Sequence, residues 1–285
     1  MGEQARRAGV ALSEGAAVDA YRVARLLGPR GLSLVYEALD SDGRLVTLKL
    51  IRPDLSADLE FRRRFERQTR AAASVTHPRL IRILDFGEHN DIPYVVQEHV
   101  PGTALADRIR RHGPLPIPET VRTLADVAGA LDAMHQAGLV HREVNPGTLL
   151  VGDDGAAYIS DLGLAKVPRG SMLTRPGQAL GSSQYMAPEQ IRGEDVTPAA
   201  DIYGLGCVTY ECLCGAPPFA DRQGMRVLWA HMQDEPVEPS DRRADVADSL
   251  SWAVLRALDK DPRKRPPSAT SYARLVELAV QVAPT

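Results

Sequence analysis

Cys207, Cys212 and Cys214 are the first residues whose types and spacing raise a chemical question, and all three sit inside one apolar stretch. Their spacing fits neither a C-x-x-C metal pair nor a disulfide framework, and an odd count argues further against the latter. They are expected to be buried, reduced thiols in a helix of a cytosolic protein. The other chemistry-bearing residues fall in short clusters: Val46-Thr47-Leu48-Lys49, His77-Pro78, His141-Arg142-Glu143, Asp161-Leu162-Gly163, Ala187-Pro188-Glu189, Asp201-Ile202-Tyr203-Gly204-Leu205-Gly206 and Lys260-Asp261-Pro262-Arg263-Lys264-Arg265-Pro266. The clusters offer lysines, arginines, histidines and carboxylates.

The first part of the chain must hold Lys49 on strands. Tyr21–Leu27, Ser33–Leu39 and Arg44–Ile51 alternate or run apolar, separated by turn chemistry at Gly28-Pro29-Arg30-Gly31 and Ser41-Asp42-Gly43. Asp58 to Val75 places Phe61, Phe65, Ala72 and Val75 among arginines, an amphipathic helix that His77-Pro78 ends. Strands Ile81–Phe86 and Tyr94–Gln97 follow, and Pro101-Gly102 breaks the pattern. Helices are expected over Glu119–Ala137, Pro198–Gly215, Gln223–Met232, Val246–Leu258 and Ala269–Val282, with a hairpin of Thr148–Val151 and Ala156–Ser160 between the first two. The expected fold class is α+β, a five-stranded antiparallel lobe with one main helix followed by a mostly helical lobe. The expected division is a flexible lead-in over 1–17, a first lobe over 18–99 and a second over 100–285.

The 285 residues are 44% hydrophobic and 25% charged, the balance of a globular protein. A net charge of -3 gives no reason to expect nucleic acid as a partner. No apolar run approaches the ~20 residues of a membrane span, so no direct membrane insertion is expected of this segment. Met1 to Gly15 lacks the apolar core of a signal peptide and reads as a lead-in or the cut end of a longer protein.

From Tyr21 to about Val282 the clusters above occur in the order found in eukaryotic-type Ser/Thr protein kinases of the bacterial receptor-kinase kind, which the chain resembles. The resemblance implies the bilobal protein-kinase fold. It implies that Glu189 pairs with Arg265 and that Asp201 braces the catalytic loop.

Measured against that family, the catalytic positions depart from the pattern. The family's H-R-D-x-K-P-x-N reads His141-Arg142-Glu143-Val144-Asn145-Pro146-Gly147-Thr148 here. Glu143 is a methylene longer than the aspartate, and a misplacement of about 1 Å can cost on the order of 10²-fold in rate. Asn145 removes the lysine's positive charge, and Thr148 replaces the asparagine that binds a second magnesium. In the glycine-rich loop, Gly28-Pro29-Arg30-Gly31-Leu32-Ser33 carries side chains at Arg30 and Ser33 and lacks a backbone donor at Pro29. Lys49 is kept, but its helix partner is Gln68 instead of a glutamate, and Glu66 falls on a different face. Asp161, in Asp161-Leu162-Gly163, is kept as a single metal-ligand carboxylate.

These departures lead to the expectation of a catalytically inactive kinase homologue, a pseudokinase, with no cofactor and with ATP and magnesium binding weak or absent. Gly28, Lys49 and Asp161 are then remnants, and no metal site is expected. The alternatives are a weakly active Ser/Thr kinase and an ATP-sensing switch without turnover. A narrower resemblance is to the cytosolic pseudokinase domain of mycobacterial MviN/MurJ-type lipid II flippases, which implies a scaffold regulating peptidoglycan and cell-wall synthesis. The implied partners are a true Ser/Thr receptor kinase and a phosphothreonine-reading forkhead-associated (FHA) domain. The expected docking phosphates are on Thr270, at the start of the last helix, and on Thr174, in the activation segment, where Arg142 is a candidate arginine for the phosphate.

Overall fold

The computed structural model describes residues 11–160 and 182–282. These residues form two compact units, one of 11–76 with 81–101 and one of 77–80, 102–160 and 182–282.

The first unit is built on a sheet of β1 (Ala17–Val18), β2 (Tyr21–Arg30), β3 (Ser33–Leu39), β4 (Leu45–Ile51), β5 (Ile83–His89) and β6 (Ile92–Glu98). The strand order is β1-β2-β3-β4-β6-β5, antiparallel at every pairing, which makes six strands where five were expected. The extra strand is β1, whose two residues are too short for any alternation to show. It is fixed by tertiary burial, with Val18 fully enclosed among Val23, Leu34, Tyr36 and Leu48. Leu12 and Ala16 pack against the same cluster, and the Leu12 N–H donates to the Tyr36 hydroxyl at 3.0 Å.

Side chains alternate across β4, so Leu48 and Leu50 join that cluster while Ile51 faces the opposite side with Val95. Short helix α1 (Pro53–Ser56) and helix α2 (Leu59–Ala73) cover this second face. Asp58 caps α2, its carboxylate accepting from the N–H groups of Glu60 and Phe61 at 2.8 and 3.2 Å. Phe61, Phe65, Thr69 and Ala72 recur at helical spacing and are buried, as the amphipathic pattern requires.

Gly28-Pro29-Arg30 proves to be strand where a turn was expected. Pro29 lies opposite Leu34, beyond the reach of the two-residue β1, so its missing N–H interrupts no second ladder. The turn itself is Gly31-Leu32, with Gly31 at φ 54°.

The second unit holds β7 (Gly102–Ala104), α3 (Leu105–His112), α4 (Ile117–Gln136), β8 (Leu149–Gly152), β9 (Ala157–Ile159), α5 (Pro188–Arg192), α6 (Ala199–Cys214), α7 (Met225–Gln233), α8 (Pro239–Arg242), α9 (Asp248–Ala257) and α10 (Ala269–Gln281). Helix α6 is enclosed along almost its whole length, from Ala200 to Leu213. Its sequence is accordingly mostly apolar on every side, Asp201 and Glu211 excepted, which is what a central helix requires. Cys207 and Cys212 are buried in it as thiols, with their pKa pushed up by burial. Helix α3 had no sequence signal, because its core contacts are only Leu105 and Ile109 among arginines, directly after the Pro-Gly break. Among the described residues no helix is long and apolar enough to cross a membrane.

Candidate active site

The loop between α4 and β8 carries Glu143, Asn145 and Thr148, and it is anchored from helix α6. The Asp201 carboxylate is 1% exposed and accepts from the N–H groups of Arg142 (2.6 Å to Oδ1) and His141 (2.8 Å to Oδ2). His135, from the last turn of α4, donates Nε2–H to Asp201 Oδ2 at 2.7 Å. Three donors on one buried carboxylate pay for taking its charge out of water. They also hold Arg142 at φ 67°, a left-handed conformation that a residue with a Cβ seldom adopts unaided. Gln190 on α5 completes the hold by donating to the Arg142 carbonyl at 3.0 Å.

Inside the loop, His141 Nδ1 accepts from the Glu143 N–H at 3.2 Å, so its ring proton lies on Nε2, which donates to the Ser160 carbonyl at 2.9 Å. Asn145 Nδ2 donates to the Glu143 carbonyl at 2.8 Å, and its Oδ1 accepts from Gly147 N–H at 2.8 Å. The Thr148 hydroxyl is shared between the carbonyls of Glu143 (3.0 Å) and Asn145 (2.9 Å), and it accepts from Asn145 N–H at 3.2 Å. Its hydrogen is thus committed within the loop, and one of its two lone pairs is taken by the Asn145 N–H.

Downstream, the 3₁₀ turn Ser182–Tyr185 is tied to α6 by the Tyr185 hydroxyl, which donates to Glu211 Oε2 at 2.6 Å. Burial raises the pKa of Glu211 and drives that of Tyr185 well above the phenol's ordinary value. Glu189 and Arg265 form the expected pair, with Arg265 Nη1 and Nη2 donating to the two carboxylate oxygens at 2.7 and 2.9 Å. Arg265 Nη1 also reaches the Ala199 carbonyl, and its Nε reaches that of Asp259.

In the first unit, Lys49 stands on β4 opposite Val35 and Val95 and is 9% exposed. Gln68 lies on α2, and its Oε1 is buried without a hydrogen bond, so the lysine ammonium does not donate to it. Glu66 instead pairs with Arg70 on the exposed side at 2.8 Å, as its position on another face implied. Gly28 (φ 121°) and Gly31 (φ 54°) both border open space, with no atom within 4 Å of where a Cβ would sit. A phosphate can approach the hairpin backbone at those two points.

Asp161 and Thr174 lie outside the described residues. Thr270 is exposed in the first turn of α10, but Ser268 caps that helix, its hydroxyl accepting from Ser271 N–H. The Asp132 carboxylate already takes the N–H groups of Ala269 and Thr270 at 2.8 and 3.0 Å. The N–H groups at this helix start are thus already taken by a carboxylate, which leaves a phosphate on Thr270 little of the helix dipole to gain. Among the described residues no group of three or more His, Cys, Asp or Glu side chains is placed to hold a metal. His135, Gln190, Ser160 and Glu211 were missed in the sequence. His135 lies between the His77-Pro78 and His141-Arg142-Glu143 clusters, and nothing in its neighbours marks it as an Asp201 partner.

Residues 21–274 match the model of the protein kinase domain family. The Ser/Thr-protein kinase PknB of Mycolicibacterium smegmatis is 37% identical over 254 residues, covering 87% of this chain and 41% of that protein. PknE of Mycobacterium bovis is 39% identical over 253 residues, covering 88% and 44%. The chain thus spans about two fifths of the length of these relatives. The crystal structure of the Mycobacterium tuberculosis PknI kinase domain superposes with a TM-score of 0.78 at 31% identity, covering 94% of this chain and all of that one.

These relatives overturn the expectation of a pseudokinase, of a protein that is no enzyme and of a domain without ATP and magnesium as cofactors. Their names are those of Ser/Thr-protein kinases, a class that works on ATP with magnesium. The expectation rested on the joint departures at Glu143, Asn145, Thr148 and Gln68, and it took a change of residue type for a loss of positioning. The loop around the first three is braced, and it retains a carboxylate at position 143. The chain belongs to the protein kinase family, as a kinase domain of the bacterial Ser/Thr, PknB-like type.

Proposed function

We propose that this domain is a slow Ser/Thr protein kinase, with Glu143 as the carboxylate that takes the proton of the substrate hydroxyl. The carrying observation is the loop itself, held on Asp201 through the N–H groups of His141 and Arg142 and closed around the Glu143 peptide. Phosphoryl transfer asks the protein mainly for positioning and electrostatics, and a preorganised loop supplies the first. Bound Mg-ATP supplies the phosphoryl group and the cation charge. The family resemblance would give Lys49, Gly28 and Gly31 contacts to its phosphates and Asp161 the role of metal-ligand carboxylate. Asn145 leaves the transferring phosphate without a lysine's charge, which is why the reaction is slow.

Substrates and partners belong to the same proposal. Thr174, in the segment preceding the Ser182–Tyr185 turn, is the proposed phosphorylation site, with Arg142 as the arginine for its phosphate. Recognition of Thr270 by an FHA reader, and attachment to a cell-wall flippase, rest only on that residue's exposure and on the resemblance.

The test is transfer of labelled phosphate from Mg-ATP to the domain and to a general protein substrate. Incorporation should vanish in Lys49→Ala and fall ~10²–10⁴-fold in Glu143→Gln. Incorporation no greater than that of Lys49→Ala would end the proposal.

A further inference from the structure

We infer that Asn145 and Thr148 are positioning residues that act through Glu143, so that the loop's three departures from its family's pattern work as one set. The inference rests on the kinase reading above.

Every polar group of the Glu143 peptide is held by a side chain. Its N–H donates to His141 Nδ1, and its carbonyl accepts both Asn145 Nδ2–H and the Thr148 hydroxyl. Asn145 is in turn fixed at its other end by Gly147 N–H, and at its own backbone by Thr148, whose N–H donates to the Asn145 carbonyl at 3.0 Å. A Cβ on Gly147 would come 3.0 Å from Asn145 Oδ1, so the glycine is part of how the side chain closes. The amide side chain serves both ends, donating to one peptide and accepting from another. A lysine at 145 has no acceptor, and its donors ride on a flexible stem.

The purpose of such a hold follows from the length of glutamate. Glu143 has one more rotatable bond than aspartate and loses more freedom when ordered. Its carboxylate is placed only as well as its backbone, and an error of about 1 Å is worth on the order of 10²-fold in rate. Pinning the carbonyl from two side chains removes backbone motion as a source of that error.

Asn145→Asp isolates the contact, because it keeps the acceptor for Gly147 and removes the donor to Glu143. Steady-state kinetics should show kcat reduced ~10–100-fold with KM for ATP and peptide nearly unchanged. The same substitution made in Glu143→Gln should lower the residual rate no further, since its effect passes through the carboxylate. An equal loss in both backgrounds, or a loss confined to KM, would overturn the inference. Amide hydrogen exchange provides the reading that does not depend on turnover. In Asn145→Asp the Glu143 N–H should exchange ~10-fold faster while Gly147 N–H keeps its protection. Unchanged exchange at Glu143 would refute the hold, whereas faster exchange in a domain without Lys49-dependent transfer would uphold it and sink the kinase proposal alone.

Discussion

At the scale of single residues, Asp201 has the widest reach. It lies on α6, yet it sets the backbone of His141 and Arg142 some sixty positions earlier and orients His135 as well. An asparagine there retains one acceptor oxygen and presents an NH₂ group where an N–H donor already points. Asp201→Asn therefore leaves a buried donor unmet, at a cost of about 1–3 kcal/mol, and slackens the left-handed Arg142. Its kcat in the labelled-phosphate assay should fall ~10²-fold or more, with the larger part of the loss in kcat. A variant with undiminished kcat would show that the backbone of the loop needs no such brace.

Between elements, the Glu189–Arg265 pair ties α5 to the 3₁₀ turn Pro262–Lys264, which precedes α10. Both side chains are enclosed, and Arg265 also lies over the Tyr203 ring at 4.9 Å. Forming a buried pair adds little net stability, because both charges are desolvated. Breaking one is different, since the surviving charge stays buried without its partner. Glu189→Gln is expected to cost about 3–5 kcal/mol, seen as a melting temperature lowered by about 10 °C. A shift of a degree or two would mean that the two carbonyl contacts of Arg265 already satisfy its guanidinium.

For the molecule as a whole, His231 makes stability depend on acid. It is fully buried on α7, its Nδ1 lies 2.8 Å from the Tyr203 hydroxyl, and its ring packs on Phe219. Burial, with the Lys260 charge beside it, brings its pKa down to about 3. The folded protein therefore excludes a proton that the unfolded chain binds below pH ~6.5. Stability is fully present above that pH and declines as pH falls towards 3, by up to about 5 kcal/mol from this group. His231→Phe loses the hydroxyl contact and should be less stable at pH 7, but its melting temperature should fall less steeply between pH 6 and 4. Parallel curves for the two proteins would show that His231 takes up its proton without unfolding.

The bilobal fold was legible through the family resemblance that the ordered clusters carry, while periodicity by itself gave elements such as the amphipathic α2. The Glu189–Arg265 pair and the role of Asp201 were legible too, since the residues sit in clusters whose types and order carry them. Strand β1 was not legible, because two residues have no period, and it exists only because Val18 finds the sheet's core. His135 was not legible either, since its partner is 66 positions away and is met only when α4 packs on α6. The catalytic loop divides the same way. Its sequence names a glutamate, an asparagine and a threonine where other residues are usual, and by type alone they suggest loss. Tertiary structure alone decided that Asn145 and Thr148 both turn onto the Glu143 carbonyl. Hydrogen bonds between residues two to five apart depend on the path of the backbone between them, and a carboxylate from a distant helix sets that path.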